Sequence, residues 1–294
     1  MSLVVTPITE APFGAVVHGW DPGHEPDAAL VAEVRAALAE HLVLVFRGHR
    51  SPDDDELVRF AEAFGELIKG SEWLRDAGAR PEILPVTNAE DDDGVPLGTG
   101  GAGRLEWHAD YSYSPRPARE SFLDAVELPA DGPQTCFVSQ YRTLESLPAE
   151  LVERLRGLQA RHRVAQYVEG GVDPDRHELN KGFDAKRRRD EASGVERPAI
   201  PEAVHPVVLR HPGTGRELLY VNKGLTDSIV GMERPESSAL LKELHLCATR
   251  PEAVYAHEWQ VGDLVVFDAL GGLHRRDSWD PSQRRVMRQL STAC

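Results

Sequence analysis

Apolar residues first recur at helical spacing at Leu30, Val31, Val34 and Leu38, behind Asp27 in the position of an N-cap, and predict a helix there. The run 42–46 (LVLVF) is apolar at every position and ends at Arg47-Gly48, the pattern of a strand buried on both faces. A second helix is predicted from Ser51-Pro52, with proline at the first helical position and acids in the first turn. Leu57, Phe60, Ala61 and Phe64 form its apolar face, and Gly65 stops it. From Glu120 onward short strand candidates dominate, at 121–126, 135–138, 204–209, 218–221, 264–267 and 284–290, with helices around 148–158 and 237–247. Strands without regular βαβ alternation predict a mainly β chain, an antiparallel sandwich with flanking helices rather than a doubly wound sheet.

Composition narrows the functional classes. The chain has 294 residues, 33 Lys plus Arg against 48 Asp plus Glu, and a formal net charge of -15. Such a surface repels phosphate backbones and anionic lipid, so neither a nucleic acid polymer nor a membrane is expected as a partner. Apolar runs are too short to span a bilayer, and the opening residues lack the charged-then-apolar form of a signal peptide. Cys136, Cys247 and Cys294 are scattered without CxxC spacing, which points away from a disulfide framework and toward a reduced, cytoplasmic protein. Neither a repeat nor a low-complexity linker divides the chain, so residues 1–294 read as a single domain. Glycine and aspartate crowd residues 91–103, which predicts a mobile lid loop around 88–105; a polar insert, with the basic run Lys186 to Arg189, is expected around 168–200.

Three short features carry chemistry. In Trp107-His108-Ala109-Asp110-Tyr111, a strand would turn His108 and Asp110 to one face, where an imidazole and a carboxylate can take adjacent positions on one metal ion. Far along the chain, the apolar strand after Gly262-Asp263 is followed by a glycine bend and His274. Two histidines and a carboxylate suit a facial triad with open positions on Fe(II), although the same donors would also suit a zinc hydrolase. In the segment 283–289 (QRRVMRQ), Arg285, Met287 and Gln289 share one face of a strand, and a guanidinium there can grip a carboxylate by paired hydrogen bonds.

Taken together, these features make the chain resemble the taurine dioxygenase and 2,4-dichlorophenoxyacetate dioxygenase family of Fe(II)- and 2-oxoglutarate-dependent oxygenases. The resemblance runs through LAEHLVLVFRG (38–48), FAEAFGE (60–66), WHAD (107–110), ELPADGPQT (127–135), HPVVLRHPGTGRELLYVN (205–222), 262–268 and QRRVM (283–287). It implies a double-stranded β-helix (jelly-roll), with His108, Asp110 and His274 holding Fe(II). It also implies Arg285, eleven residues past the distal histidine, and Thr135 holding 2-oxoglutarate. The implied reaction uses O2, releases succinate and CO2, and hydroxylates or desaturates a small polar metabolite, plausibly of bacterial secondary metabolism; relatives are commonly homo-oligomers. Because Asp110 is present, chlorination is not expected.

Departures from the family pattern bear on substrate. Relatives that use sulfonates and carboxylates carry a second arginine four residues after the one that holds 2-oxoglutarate. Gln289 stands there, which argues against taurine, while Arg288 faces the other way. The resemblance sets Tyr111, Tyr113 and Leu225 along the substrate pocket, with Trp73 less securely aligned. Arg104, where the family has asparagine, is either a new polar recognition group or solvated on the lid. Tyr255 and Trp259 are expected in the core.

Overall fold

In this computed structural model, residues 2–70, 80–94, 96–163, 192, 194 and 202–294 are described. The chain folds as the expected jelly-roll, two sheets face to face. The larger sheet has the spatial order β1 (Val4–Pro7), β2 (Ala15–His18), β3 (Val43–Phe46), β15 (Leu264–Asp268), β7 (Ala118–Glu127), β17 (Val286–Ala293), β4 (Leu84–Thr87) and β5 (Thr99–Gly100). The smaller is β14 (Tyr255–His257), β8 (Thr135–Ser139), β16 (Gly272–Arg276) and β6 (Leu105–His108). To one side lie β10 (Glu202–Pro206), β9 (Gln159–Arg163) and β13 (Thr226–Ile229) in a three-stranded sheet, and the pair β11 (Val208–Arg210) and β12 (Glu217–Leu219). All pairings are antiparallel except β2 with β3 and β4 with β5.

The uninterrupted apolar run of β3 has a simple cause: both faces are covered. Val43 and Val45 of β3, with Val265 and Phe267 of β15, enter the core between the sheets. Leu44, Phe46, Leu264 and Val266 pack on the opposite face beneath α1 (Ala28–His41) and α2 (Asp54–Glu62). From the smaller sheet, Phe137 packs edge-on against Phe267, with ring centroids 5.3 Å apart. A third cluster binds α4 (Ala149–Arg156) and α5 (Arg234–Ala248) to the side sheets through Leu155, Val207, Leu241 and Leu244.

Several elements differ from the sequence-based expectation. Asp27 caps α1 as predicted, accepting from the Leu30 amide at 2.8 Å. The second helix begins at Asp54 rather than at Pro52, because Asp53 and Glu56 cap it reciprocally: Asp53 accepts from the Glu56 amide at 2.8 Å and Glu56 from the Asp53 amide at 3.0 Å. The strand predicted over 204–209 is two strands parted at Val207, whose amide and carbonyl bond Leu158 and Tyr220 instead of one continuous partner. The helix α3 (Gln140–Ser146), capped by Ser139, is too short for its periodicity to be read from sequence. The glycine-rich stretch within 88–105 contains β5, laid parallel to β4. The insert expected around 168–200 lies outside the described residues, Ala192 and Gly194 aside. Among the described residues no helix is long and apolar enough to cross a membrane.

Phe122 of β7 joins the sheet to the helical layer, fully buried with its ring 5.9 Å from that of Phe60 and 5.3 Å from that of Phe64. Replacing it by alanine should cost about 3–5 kcal/mol. The expected result is a lower urea midpoint with little change in denaturant slope.

Candidate active site

The backbone delivers three side chains to one point between the sheets. His108 ends β6 and stands opposite His274 of β16 in the antiparallel register, with ring centroids 4.1 Å apart. Strand alternation does not place Asp110, contrary to the sequence-based expectation. β6 stops at His108, and Asp110 lies in the following turn, where Tyr111 adopts a left-handed φ of 53° and the Ala118 amide donates to the Asp110 carbonyl at 3.3 Å. The turn carries the carboxylate back to the histidines.

Asp110 Oδ1 lies 3.7 Å from His108 Nε2 and 3.7 Å from His274 Nε2. One donor atom from each of the three residues falls within 4.8 Å of the other two. The remaining lone pairs are arranged to leave these atoms free. His108 Nδ1 bonds the Glu106 carbonyl at 2.7 Å; a carbonyl only accepts, so Nδ1 is the donor there and Nε2 is the ring nitrogen that faces Asp110. Asp110 Oδ2 accepts from Ser121 Oγ at 2.7 Å and from Gln289 Nε2 at 2.9 Å. Ser121 is paired in turn with Ser291 at 2.8 Å. His274 is packed against Phe137 and Phe267, and burial, aided by the neighbouring His108, pushes its pKa down to about 3. It is therefore a neutral donor at ordinary pH. Two imidazoles and a carboxylate on one side of a point fit a divalent ion of the Fe(II) type with positions left open for other ligands.

Arg285 and Thr135 are the candidates for holding an anion. Arg285, one residue before β17, is only 1% exposed, and its Nε has no hydrogen-bond partner among the described residues. The backbone fixes it from both sides: its amide donates to Asn88 Oδ1 at 2.9 Å and its carbonyl accepts from Thr87 Oγ1 at 2.6 Å. Burial lowers its pKa to about 10, and among the described residues no carboxylate forms an ion pair with it. Thr135 begins β8, buried, and accepts from Trp259 Nε1 at 2.9 Å, which leaves its hydroxyl proton available to donate. Trp259 was expected in the core; it is only partly buried and supports Thr135.

The remaining candidates separate. The rings of Tyr111 and Tyr113 lie 5.9 Å apart, and burial, with the nearby Asp110 charge, raises both phenol pKa values. Leu225 is buried in a turn whose Gly224 amide donates to the Trp107 carbonyl at 2.9 Å, so the turn is fastened to β6. The Arg104 guanidinium is 3.0 Å from Glu106, whose other oxygen is 2.7 Å from Lys223 Nζ. Gln289 faces inward as expected, but its amide is engaged by Asp110, whereas Arg288 points away to Asp124 and Asp54. Trp73 lies outside the described residues. Sequence reasoning missed Ser121 and the bracing role of Gln289, since neither residue type signals a contact that only strand register creates.

Known proteins resemble the chain over nearly its whole length. The sequence model of the family "Taurine catabolism dioxygenase TauD, TfdA family" matches residues 5–291. Pentalenolactone F synthase of Streptomyces avermitilis is 38% identical over 291 residues, covering 98% of this chain and 93% of that protein. The alpha-ketoglutarate-dependent 2,4-dichlorophenoxyacetate dioxygenase of Cupriavidus pinatubonensis is 31% identical over 302 residues, covering 99% and 98%. A crystal structure of a taurine dioxygenase from Burkholderia xenovorans superposes with a TM-score of 0.75 at 25% identity, covering 100% of this chain and 91% of that one.

Substitution of Gln289 by leucine should weaken Mn(II) or Fe(II) affinity by about 10- to 100-fold, the usual effect of removing a hydrogen bond that orients a metal ligand. Calorimetric metal titration measures it, with circular dichroism as the folding control. Unaltered metal affinity would show that the amide does not brace Asp110.

Proposed function

The chain belongs to the TauD/TfdA family, as a dioxygenase that uses Fe(II), 2-oxoglutarate and O2, and on that premise we propose that His108, Asp110 and His274 hold the iron and that Arg285 and Thr135 hold the cosubstrate. The observation that carries this reading is the position of Asp110 Oδ1, 3.7 Å from both Nε2 atoms while Oδ2 is already bonded to Ser121 and Gln289. Iron bound there supplies the oxidation of a substrate C–H bond, coupled to conversion of 2-oxoglutarate and O2 to succinate and CO2.

The protein's own groups bind, orient and exclude. His108 presents Nε2 because Glu106 holds the proton on Nδ1. Asp110 keeps its carboxylate in one rotamer through two donors, and by filling its ligand position it disfavours halide binding and hence chlorination. Phe137 and Phe267 keep water from the His274 ring. Arg285 offers its unpaired guanidinium to the distal carboxylate of 2-oxoglutarate, and Thr135 donates its hydroxyl to the same group.

We take the substrate to be a small polar metabolite of bacterial secondary metabolism, a reading supported by the similarity to pentalenolactone F synthase. Tyr111, Tyr113 and Leu225 line its pocket, with Arg104 at the rim beside Glu106. Taurine is a poor fit because the Gln289 amide is uncharged and already occupied. The proposal extends to one catalytic domain over residues 1–294 with 88–105 as lid, acting in the cytoplasm as a homo-oligomer. Its support is the family match over 5–291, the free thiols of Cys136, Cys247 and Cys294, and the resemblance of the sequence to oligomeric relatives.

Purified protein with Fe(II), O2 and 2-oxoglutarate should release succinate, stimulated by the true substrate in a screen of amino acids, nucleotides, other small acids and lactones. Asp110→Ala should abolish that release. Arg285→Gln should raise the KM for 2-oxoglutarate about 10- to 100-fold, as loss of a charged hydrogen bond of about 1.5–3 kcal/mol requires. Succinate release indifferent to Asp110 would refute the assignment.

A further inference from the structure

Arg276 is a second buried cation for which the reading above has no use. It lies two residues beyond His274 on β16, hence on the same face, and its register partner on β8 is Thr135. The residue is 3% exposed. Its Nη2 donates to the carbonyls of Gly100 at 2.7 Å and Gly101 at 3.0 Å, and also to that of Gly103. Nε and Nη1 are buried without any hydrogen-bond partner among the described residues. Arg285 is equally short of partners, and its positive charge acts on Arg276. The two guanidinium carbons lie over the ring of a single residue, Trp279, at 4.4 Å and 5.7 Å from its centroid.

Two like charges buried around one indole, with no acid among the described residues paired to either, are unfavourable unless an anion joins them. An isolated structural arginine would not leave two buried donors empty. The glycine-rich segment is tied to the same pair. Arg276 takes three of its carbonyls, and the Trp279 amide donates to the Ala102 carbonyl at 3.2 Å.

We propose that Arg276 is a second cosubstrate-positioning residue: with Arg285 it clamps the distal carboxylate of 2-oxoglutarate, and through Nη2 it couples occupancy of that site to closure of the segment 100–103. The inference rests on the oxygenase reading and adds to it a residue and a linkage. A carboxylate received by both arginines gains charge-assisted bonds from each, and Arg276, fixed on its far side to the glycine carbonyls, then loses freedom together with the segment it holds.

The test separates a carboxylate contact from a structural role by using two ligands on Fe(II)-loaded protein under anaerobic conditions. 2-Oxoglutarate carries the distal carboxylate; 2-oxopentanoate has the same carbon count and keto acid but lacks it. Calorimetry should show Arg276→Met weakening 2-oxoglutarate about 10-fold or more while 2-oxopentanoate changes less than about 3-fold. Arg276→Lys, which keeps a charge and donors for the glycine carbonyls, should give an intermediate loss and serves if the methionine variant does not fold. In hydrogen exchange, 2-oxoglutarate should slow the amides of residues 99–104 in the wild type and not in Arg276→Met. Equal weakening of both ligands, or ligand-induced protection that survives the substitution, would overturn the proposal for Arg276 while leaving Arg285 in place. Wild-type protein that does not prefer 2-oxoglutarate over 2-oxopentanoate would overturn the underlying reading as well.

Discussion

The site depends on one carboxylate whose two oxygens have different neighbours. Asp110 Oδ2 is held by Ser121 from β7 and Gln289 from β17, both in the larger sheet. Oδ1 is turned toward His108 and His274, both in the smaller sheet. The residue therefore bridges the two layers of the sandwich, and the spacing between those layers sets where a metal ion can sit. A carboxylate held on one oxygen retains a single rotamer without an ion present, so little reorganisation is required when one arrives.

The sandwich supplies that rigidity through strands buried on both faces. β3 and β15 alternate between the inter-sheet core and the helical layer, and Phe122 continues the second contact under Phe60 and Phe64. Because the helices cover the back of the larger sheet, its front can present polar groups such as Ser121, Ser291 and Gln289 to the site. Interiors packed this densely resist small shifts, which keeps donors from separate strands within hydrogen-bonding distance.

Charge is arranged with similar economy. The protein is acidic overall, yet it buries Arg276 and Arg285 with no acidic partner among the described residues, both against an indole face and Arg276 also against glycine carbonyls. By contrast, Arg104 and Lys223 share the single carboxylate of Glu106. The unpaired cations can thus receive an anion, whereas the cations beside Glu106 already have one.

How much was legible in the sequence follows from the range of each interaction. The apolar run of β3, the Asp27 cap and the inward set Arg285, Met287 and Gln289 are local patterns legible in the chain, and the sequence also offered His108, Asp110 and His274 as the donors that the fold brings together. The capping box of α2, the break at Val207 and the short α3 depend on competing hydrogen bonds that periodicity does not register. The task of Gln289 was likewise hidden. Its inward direction is a matter of strand alternation, but whether it meets a substrate or Asp110 is decided by the register of β17 against β7 and by a turn at a left-handed Tyr111. The sequence determined which donors exist and, for those on strands, which way they point, but not how the turn after His108 aims Asp110. Tertiary structure decided which donors meet, because contacts between residues separated by more than a hundred positions are set by sheet register and layer spacing, and neither is a property of any local stretch of chain.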